Sequence, residues 1–273
     1  MNKMSIGVFD SGVGGLTVLK EIIKALPGEG TIYLGDTARV PYGIRSPETV
    51  MHYSFENTNF LVKKGIKILI VACNTASSVS LEAIQQQLPI PVIGVVEPGA
   101  RAAVRTTRNG KIGVIGTEAT IRSGAYVRKI KELDDTLEVF GLPCPLFVSL
   151  AEEGFTDDEI ALMVAHRYLE NLKGDGIDTL VLGCTHYPLL KGVISKVMGE
   201  SITLIDSAVK TASEVRETLS ALDIQNESGE EPCRVYYVTD SPERFVRVGE
   251  RFLGQKIAHI EKIDVMPDPQ GGS

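Results

Sequence analysis

The chain has 273 residues, 43% of them hydrophobic and 23% charged, and a formal net charge of −7, which suits a soluble globular protein of one or two domains. The negative charge and the lack of a basic run argue against nucleic acid as a partner, and no stretch approaches the ~20 apolar residues of a membrane span. Because the N-terminus lacks a signal-peptide pattern and the four cysteines are too sparse for a disulfide scaffold, we expect a cytoplasmic protein with reduced thiols.

Short apolar runs alternate with helix-length amphipathic segments along the chain. Strands are predicted at residues 5–9, 31–34, 67–72, 91–95, 112–116, 137–140, 178–183, 202–205 and 234–238. Helices are predicted near residues 15–26, 47–64, 76–87, 98–107, 119–132, 157–173, 188–198, 208–222 and 242–253. Strands separated by helices of this length predict parallel βαβ units and hence an α/β fold.

Three helix starts carry capping chemistry. Ser46 and Ser241 each precede a proline, which predicts a capping hydroxyl before a first-turn proline. Thr156 is followed three residues later by Glu159, which matches a capping box. We therefore expect a side-chain cap at each of these three helix starts.

An internal repeat indicates two similar halves. The strand-turn segment at Ile6 is echoed at Ile112, an offset of 112 − 6 = 106, and Cys73 and Cys184 close similar apolar runs at an offset of 184 − 73 = 111. Any two βα units look partly alike, which is the alternative explanation. The similar offsets favour two similar parallel-sheet α/β domains related by pseudo-twofold symmetry, with the active site in the cleft between them.

The repeat also suggests where each domain begins and ends. We expect residues 1–97 plus 208–273 to form the first, discontinuous domain and residues 98–207 to form the second. The last seven residues, 267–273, are predicted to be disordered because they contain only proline, glycine and polar residues.

Two of the four cysteines stand out by position. A cysteine in a strand is usually an inert small hydrophobic residue, and Cys144 and Cys233, which adjoin prolines, fit that description. Cys73 and Cys184 instead end buried strands at the sheet edge where ligands of open α/β folds bind. Two thiols that face one ligand from opposite sides can move a proton between the two faces of a carbon.

Each of these thiols has a candidate proton partner. Asp10 ends the first strand, which in a parallel sheet can lie beside the strand that ends at Cys73, and His186 follows Cys184 by two residues. At a pKa near 8.5, only about 3% of a thiol is thiolate at pH 7. A helix N-terminus or a hydrogen-bond donor can lower that pKa, and the amides after each cysteine are suitably placed for this.

Small polar side chains complete the predicted cleft. These donors are Ser11, Asn74, Thr75, Thr117, Thr120 and Thr185. Such groups suit a zwitterion with more than one carboxylate, since fixed dipoles stabilise developing negative charge. Cysteine and histidine side chains can bind metal ions, but the spacing of Cys184 and His186 suits a metal site poorly, so no metal site is predicted.

Two loops that follow strands are candidate ligand contacts. The glycine-rich loop 10–15 can hold an anion on its backbone N–H groups, but it matches neither GxxxxGK[ST] nor GxGxxG. The loop 35–43 is predicted to form a lid or wall, with Pro41, Tyr42 and Gly43 against the ligand.

Four motifs together resemble the bacterial glutamate racemases of the aspartate/glutamate racemase superfamily. They are VFDSGVGGL at 8–16, GDTARVPYG at 35–43, ACNTAS at 72–77 and GCTHYPLL at 183–190. The resemblance spans residues 5–253, with the motifs in the expected order. It implies an isomerase that needs no cofactor and converts L-glutamate to D-glutamate for peptidoglycan synthesis, usually as a homodimer.

The resemblance also implies roles for the acid/base groups. Cys73 would act on D-glutamate and Cys184 on L-glutamate. Asp10 would assist Cys73, and His186 would assist Cys184.

Further positions match those that support the site or contact substrate in the family. Asp36 and Glu152 match positions that support the site electrostatically. The implied substrate contacts are Asp10, Ser11, Tyr42, Gly43, Asn74, Thr75, Thr185 and His186. None of these positions departs from the family pattern.

Two alternative functions remain open at this point. An aspartate racemase would share the chemistry and differ in pocket depth, so a substrate screen separates it. A non-catalytic phosphate- or nucleotide-binding module could use the loop 10–15, but it would leave the paired thiols unexplained. Comparing the binding of ATP with that of D-glutamate tests the second alternative.

Overall fold

The computed structural model describes residues 2–265, so the predicted disordered tail 267–273 lies outside the described residues. The strands are β1 Ser5–Asp10, β2 Thr31–Gly35, β3 Ile66–Val71, β4 Val92–Gly94, β5 Lys111–Gly116, β6 Glu138–Pro143, β7 Thr179–Gly183, β8 Thr203–Asp206, β9 Arg234–Val238 and β10 Ile260–Lys262. The helices are α1 Leu16–Ala25, α2 Pro47–Lys63, α3 Asn74–Gln87, α4 Val96–Thr106, α5 Glu118–Ser123, α6 Ala125–Leu133, α7 Leu146–Glu153, α8 Glu159–Gly174, α9 Lys191–Met198, α10 Ser207–Ala221 and α11 Pro242–Leu253. No helix in residues 2–265 is long and apolar enough to cross a lipid bilayer.

These strands form two parallel sheets. Sheet A has the order β10-β9-β2-β1-β3-β4, and sheet B has the order β6-β5-β7-β8. The arrangement β2-β1-β3-β4 of sheet A therefore recurs in sheet B, and both sheets carry helices. The predicted pair of parallel-sheet α/β domains is confirmed, and we call them domain A and domain B after their sheets. Their predicted residue boundaries remain a prediction.

Strand register explains the two sequence offsets. Ile6 pairs with Ile68 in sheet A, and Ile112 pairs with Thr179 in sheet B. The equivalent residues are therefore 112 − 6 = 106 and 179 − 68 = 111 positions apart, the same values as the repeats read from the sequence. The two cysteine-bearing strands thus occupy equivalent places in the two sheets.

Buried central strands carry the functional residues to the sheet edges. Phe9, one residue before the end of β1, pairs with Val71, the last residue of β3. Asp10 and Cys73, which follow by one and two residues, therefore emerge at the same edge of the sheet. Each fully buried aliphatic side chain of these strands contributes about 1.5–3 kcal/mol to folding. The carboxyl edge therefore rests on the buried strands of the sheet.

One predicted helix is divided in the structure, and two observed elements were not predicted. The helix predicted over 119–132 is divided at Gly124, whose φ of +67° ends α5 before α6 begins. Helix α7 and strand β10 were not predicted. Both are short, and α7 begins directly after Pro145 with no apolar period long enough to identify it.

The three predicted helix caps had different outcomes. Ser46 caps α2 as expected, since its hydroxyl accepts a hydrogen bond from Thr49 N–H. Ser241 has a φ of +47° and makes no capping bond, so that prediction is wrong. Helix α8 is capped by Asp158, whose carboxylate accepts from Ala161 N–H, so the capping box predicted at Thr156 is also wrong.

Candidate active site

One cavity receives residues from the carboxyl edges of both sheets. It encloses about 720 Å³ of empty space, which includes open solvent at its mouth. It is lined by Ser11, Val40, Pro41, Tyr42, Gly43, Ile44, Cys73, Asn74, Thr75, Thr117, Glu118, Pro145, Val148, Ser149, Cys184, Thr185 and His186. Cys73 from domain A and Cys184 from domain B therefore share one cavity.

The Cys73 thiol lies at the start of a helix. It occupies the N-cap position of α3, where its sulfur accepts from Ala76 N–H at 3.5 Å and donates to Ser11 Oγ at 3.7 Å. Burial raises the pKa of Cys73 to about 12, and the negative charge of Asp10 adds to this. The Ala76 amide acts in the expected downward direction, but burial outweighs it. Cys73 is therefore a protonated thiol at neutral pH.

Asp10 lies directly behind this thiol. Its side chain is fully buried, and Oδ2 accepts from Gly12 N–H at 3.0 Å, while Oδ1 has no hydrogen-bond partner among the described residues. Burial raises the pKa of Asp10, even though the charge of His186 and the amides of the glycine-rich loop act against it. Asp10 therefore acts on Cys73 through its charge rather than through a direct hydrogen bond.

The Cys184 thiol has an imidazole as its neighbour. Its sulfur lies 3.8 Å from His186 Nδ1, and His186 Nε2 lies 3.1 Å from Glu152 Oε1. Burial alone would lower the pKa of His186, but its bonds to Cys184 and Glu152 raise it to about 10. The imidazole is therefore protonated at neutral pH and can stabilise negative charge on the Cys184 sulfur.

Glu152 keeps this imidazole charged. Burial would raise the pKa of Glu152, but the hydrogen bond from His186 and the charge of Arg244 lower it overall. The carboxylate therefore stays ionised and holds the Nε2 proton of His186.

The turn after Cys184 is packed against the glycine-rich loop of domain A. Thr17 Oγ1 donates to the backbone carbonyl of Thr185 at 2.9 Å. A Cβ at Gly14 would lie 2.2 Å from Thr185 Oγ1 and 2.5 Å from the His186 ring. The absence of a side chain at Gly14 therefore allows the two domains to approach closely beside Cys184.

The loop after β2 forms one wall of the cavity, as predicted. Pro41, Tyr42 and Gly43 line it, and the buried Asp36 lies behind them. Asp36 accepts hydrogen bonds from the Tyr42 hydroxyl and from Arg39 Nε, the latter at 2.7 Å. Asp36 therefore orients the wall without entering the cavity.

Hydroxyl and amide groups form the floor between the domains. The Thr75 hydroxyl of domain A lies 3.0 Å from that of Thr117 and 3.1 Å from that of Thr120 in domain B. Asn74 Oδ1 accepts from Tyr126 OH at 2.7 Å, which leaves the buried Asn74 Nδ2 with no partner among the described residues. Because buried donors are nearly always paired, this amide is suited to an acceptor on a ligand.

Most of the predicted site residues reach the cavity. Those that line it are Ser11, Pro41, Tyr42, Gly43, Cys73, Asn74, Thr75, Thr117, Cys184, Thr185 and His186. Asp10, Asp36, Thr120 and Glu152 do not line it and lie one layer behind. Their placement suits support of the lining residues rather than direct contact with a ligand.

Six lining residues were not identified from the sequence. They are Val40, Ile44, Glu118, Pro145, Val148 and Ser149. Val40 lies inside the predicted loop 35–43 but was not named as a contact, and Ile44 follows that loop directly, so extending the predicted contacts Pro41–Gly43 by one residue on each side would have found both. Val148 and Ser149 lie on α7, a helix that was too short to be predicted from the sequence.

Within residues 2–265, no group of three or more His, Cys, Asp or Glu side chains is arranged to hold a metal ion.

Known proteins match the chain in sequence and in fold. The Asp/Glu/Hydantoin racemase family model matches residues 6–215. A glutamate racemase from Geobacter metallireducens is 58% identical over 96% of this chain and 97% of that protein. The crystal structure of glutamate racemase isoform RacE1 from Bacillus anthracis has a TM-score of 0.93 at 44% identity, covering 97% of this chain and 98% of that one. A Francisella tularensis glutamate racemase, solved in complex with D-glutamate, has a TM-score of 0.92 at 38% identity, covering 97% and 99%.

Proposed function

Because the chain belongs to the Asp/Glu/Hydantoin racemase family and is an amino-acid racemase of the glutamate racemase type, we propose that it interconverts L- and D-glutamate with two thiols. The observation that carries this proposal is the shared cavity, into which Cys73 and Cys184 project from equivalent strand ends of two domains. Each thiol serves one face of the α-carbon.

The surroundings of the thiols support a direction for each proton transfer. For L-glutamate, the Cys184 sulfur removes the α-proton, since the protonated His186 stabilises a thiolate there. Cys73, held as a thiol by burial and by Asp10, then protonates the opposite face to give D-glutamate. In the reverse reaction, Cys73 removes the α-proton of D-glutamate and Cys184 donates a proton to the opposite face.

The α-carbon is far less acidic than a thiol, so the carbanion requires stabilisation. The unpaired Asn74 amide and the hydroxyls of Ser11, Thr75 and Thr185 are suited to the substrate carboxylates. The N-terminus of α3 adds its dipole at the same place. Fixed donors in a site that excludes water act more strongly than they would in solution.

We infer a cellular role from the same resemblance. D-glutamate made by this chain would supply peptidoglycan synthesis in the cytoplasm, and the enzyme would act as a homodimer. Growth of a D-glutamate-requiring bacterial strain after expression of the chain tests the supply role. Light scattering coupled to size-exclusion chromatography tests the dimer.

A substrate screen tests the proposed reaction. The dialysed enzyme is mixed with each enantiomer of glutamate and of aspartate, without added cofactor, and the loss of optical activity is followed. We expect both glutamate enantiomers to reach a racemic mixture and aspartate to react far more slowly. Comparable turnover of aspartate, or no turnover of glutamate, would contradict the proposal.

A further inference from the structure

One face of helix α11 lies against the Glu152–His186 pair. Arg244, Arg251 and Phe252 occupy positions i, i+7 and i+8 of this helix, which lie on one side of it. Helix α11 packs in an apolar cluster of domain A, whereas α7, which carries Glu152, packs largely with domain B. Domain A thus contacts the groups that support the thiol of domain B.

Three contacts make up this junction. Arg244 Nη2 lies 3.1 Å from Glu152 Oε2, while Glu152 Oε1 lies 3.1 Å from His186 Nε2. Arg251 donates to the backbone carbonyl of Glu152 near the end of α7. The Phe252 ring meets the His186 ring edge-on, with 5.3 Å between ring centroids. The two oxygens of one carboxylate are therefore held by different domains.

We propose that Arg244 is a positioning residue for the Cys184 half of the reaction, acting from domain A through Glu152 and His186. This inference rests on the proposed racemase function. The Glu152 side chain is 21% exposed and borders a second cavity beside Arg244, so it can turn toward water once the guanidinium is removed. Arg244 is 56% exposed, so its ion pair with Glu152 contributes little to folding stability. Losing this ion pair therefore changes the orientation of the Glu152 side chain rather than the stability of the fold.

The hydrogen-bond partners of the two thiols differ in which domain supplies them. The groups around Cys73, which are Asp10, Ser11 and Ala76, all lie in domain A. The support of Cys184 is complete only when α11 touches α7.

The pKa of His186 distinguishes positioning from a simple charge effect. The titratable and charged groups that act on His186 are Cys184, Glu152 and Asp10, and Arg244 acts on Glu152. Removing a positive charge would by itself raise the pKa of His186. If Glu152 turns away, burial prevails and the pKa of His186 falls. For Arg244→Gln we expect a fall of about one unit, the lower end of the effect of losing a charged partner.

The experiment combines an NMR titration with kinetics. The His186 ring nitrogens, assigned with His186→Asn, are titrated in the wild type and in Arg244→Gln, and kcat is measured for both enantiomers. We expect kcat to fall about tenfold in Arg244→Gln, as misplacement of a reacting group produces, and Arg244→Lys to restore most of it. Arg247→Gln is the matched control, because Arg247 is exposed on the same helix and makes no ion pair among the described residues.

A double variant tests whether Arg244 acts through Glu152. If it does, Glu152→Gln combined with Arg244→Gln matches Glu152→Gln alone in both kcat and His186 pKa. Additive losses, an unchanged or raised His186 pKa in Arg244→Gln, or an equal loss in Arg247→Gln would overturn the inference. The NMR titration needs no turnover, so its outcome is separable from a failure of the proposed racemase function.

Discussion

Cys73 and Cys184 occupy equivalent strand ends but have opposite kinds of neighbour. Cys73 sits at a helix N-terminus with the Asp10 carboxyl behind it, whereas Cys184 faces the cationic His186. The hydrogen-bond partners of Cys73 lie in its own domain, while the support of Cys184 is completed by α11 of the other domain. The repeat therefore supplied two similar positions, and their neighbours give the two thiols different electrostatic surroundings.

Replacing either thiol should have the largest effect on turnover. Cys73→Ala and Cys184→Ala should each lower kcat about a thousandfold or more, since in the proposed mechanism each removes a group that transfers the α-proton. Racemisation of both enantiomers is followed by circular dichroism. The control is Cys233→Ala, whose exposed thiol lies outside the cavity and should leave turnover unchanged. Substantial turnover in either test variant would mean that the missing thiol is not an acid/base group.

A methyl group beside Cys184 should affect one half of the site. In Gly14→Ala the new Cβ would meet Thr185 Oγ1 at 2.2 Å and must displace the turn that carries His186, so we expect kcat to fall about a hundredfold. Gly12→Ala is the matched control in the same loop, because its Cβ would meet only Val40 at 3.6 Å. Equal kinetics in the two variants would show that close packing at Gly14 is unimportant for turnover.

The protonation of His186 predicts how activity depends on pH. Its pKa is raised from 6.5 to about 10, so the folded protein holds an extra proton between these values, and the stability from this proton is lost as pH rises through about 10. We expect kcat/KM to fall about tenfold per pH unit above that point, as for loss of one essential proton. The pH profile of His186→Asn is the comparison. A wild-type profile that falls near pH 7 instead would contradict the cationic imidazole.

The hydroxyl floor should have the smallest effect. Thr120→Val removes the group behind Thr75 and Thr117, and losing a hydrogen bond worth about 0.5–1.5 kcal/mol should raise KM roughly threefold to tenfold with little change in kcat. Thr106→Val, on a distant helix, is the control. A larger change in kcat than in KM would place Thr120 in the chemical step.

The sequence predicts the elements and one of the two thiol surroundings well. Buried β-branched runs identify β1 and β3, and parallel pairing then places Asp10 beside Cys73. The support of Cys184 was harder to predict from the residues. Glu152 lies on the short helix α7, and it meets Arg244 only through packing between domains, which no local pattern encodes.

The pKa of Cys73 shows the limit of local reasoning about chemistry. The helix N-terminus after this residue was visible in the sequence and does act to lower its pKa. The stronger opposing effect, burial, depends on the whole of domain A and on the approach of domain B. The sequence therefore identifies which groups are present but not which effect on the thiol dominates.

Deuterium labelling tests most directly whether two separate groups exchange the proton. Each enantiomer of glutamate is incubated with the enzyme in deuterated water, and the α-position of both enantiomers is examined early in the reaction. Two thiols on opposite faces predict that the product carries solvent deuterium while the unreacted substrate keeps its proton. Rapid entry of deuterium into the unreacted substrate would mean that a single group acts on both faces, and it would contradict this account.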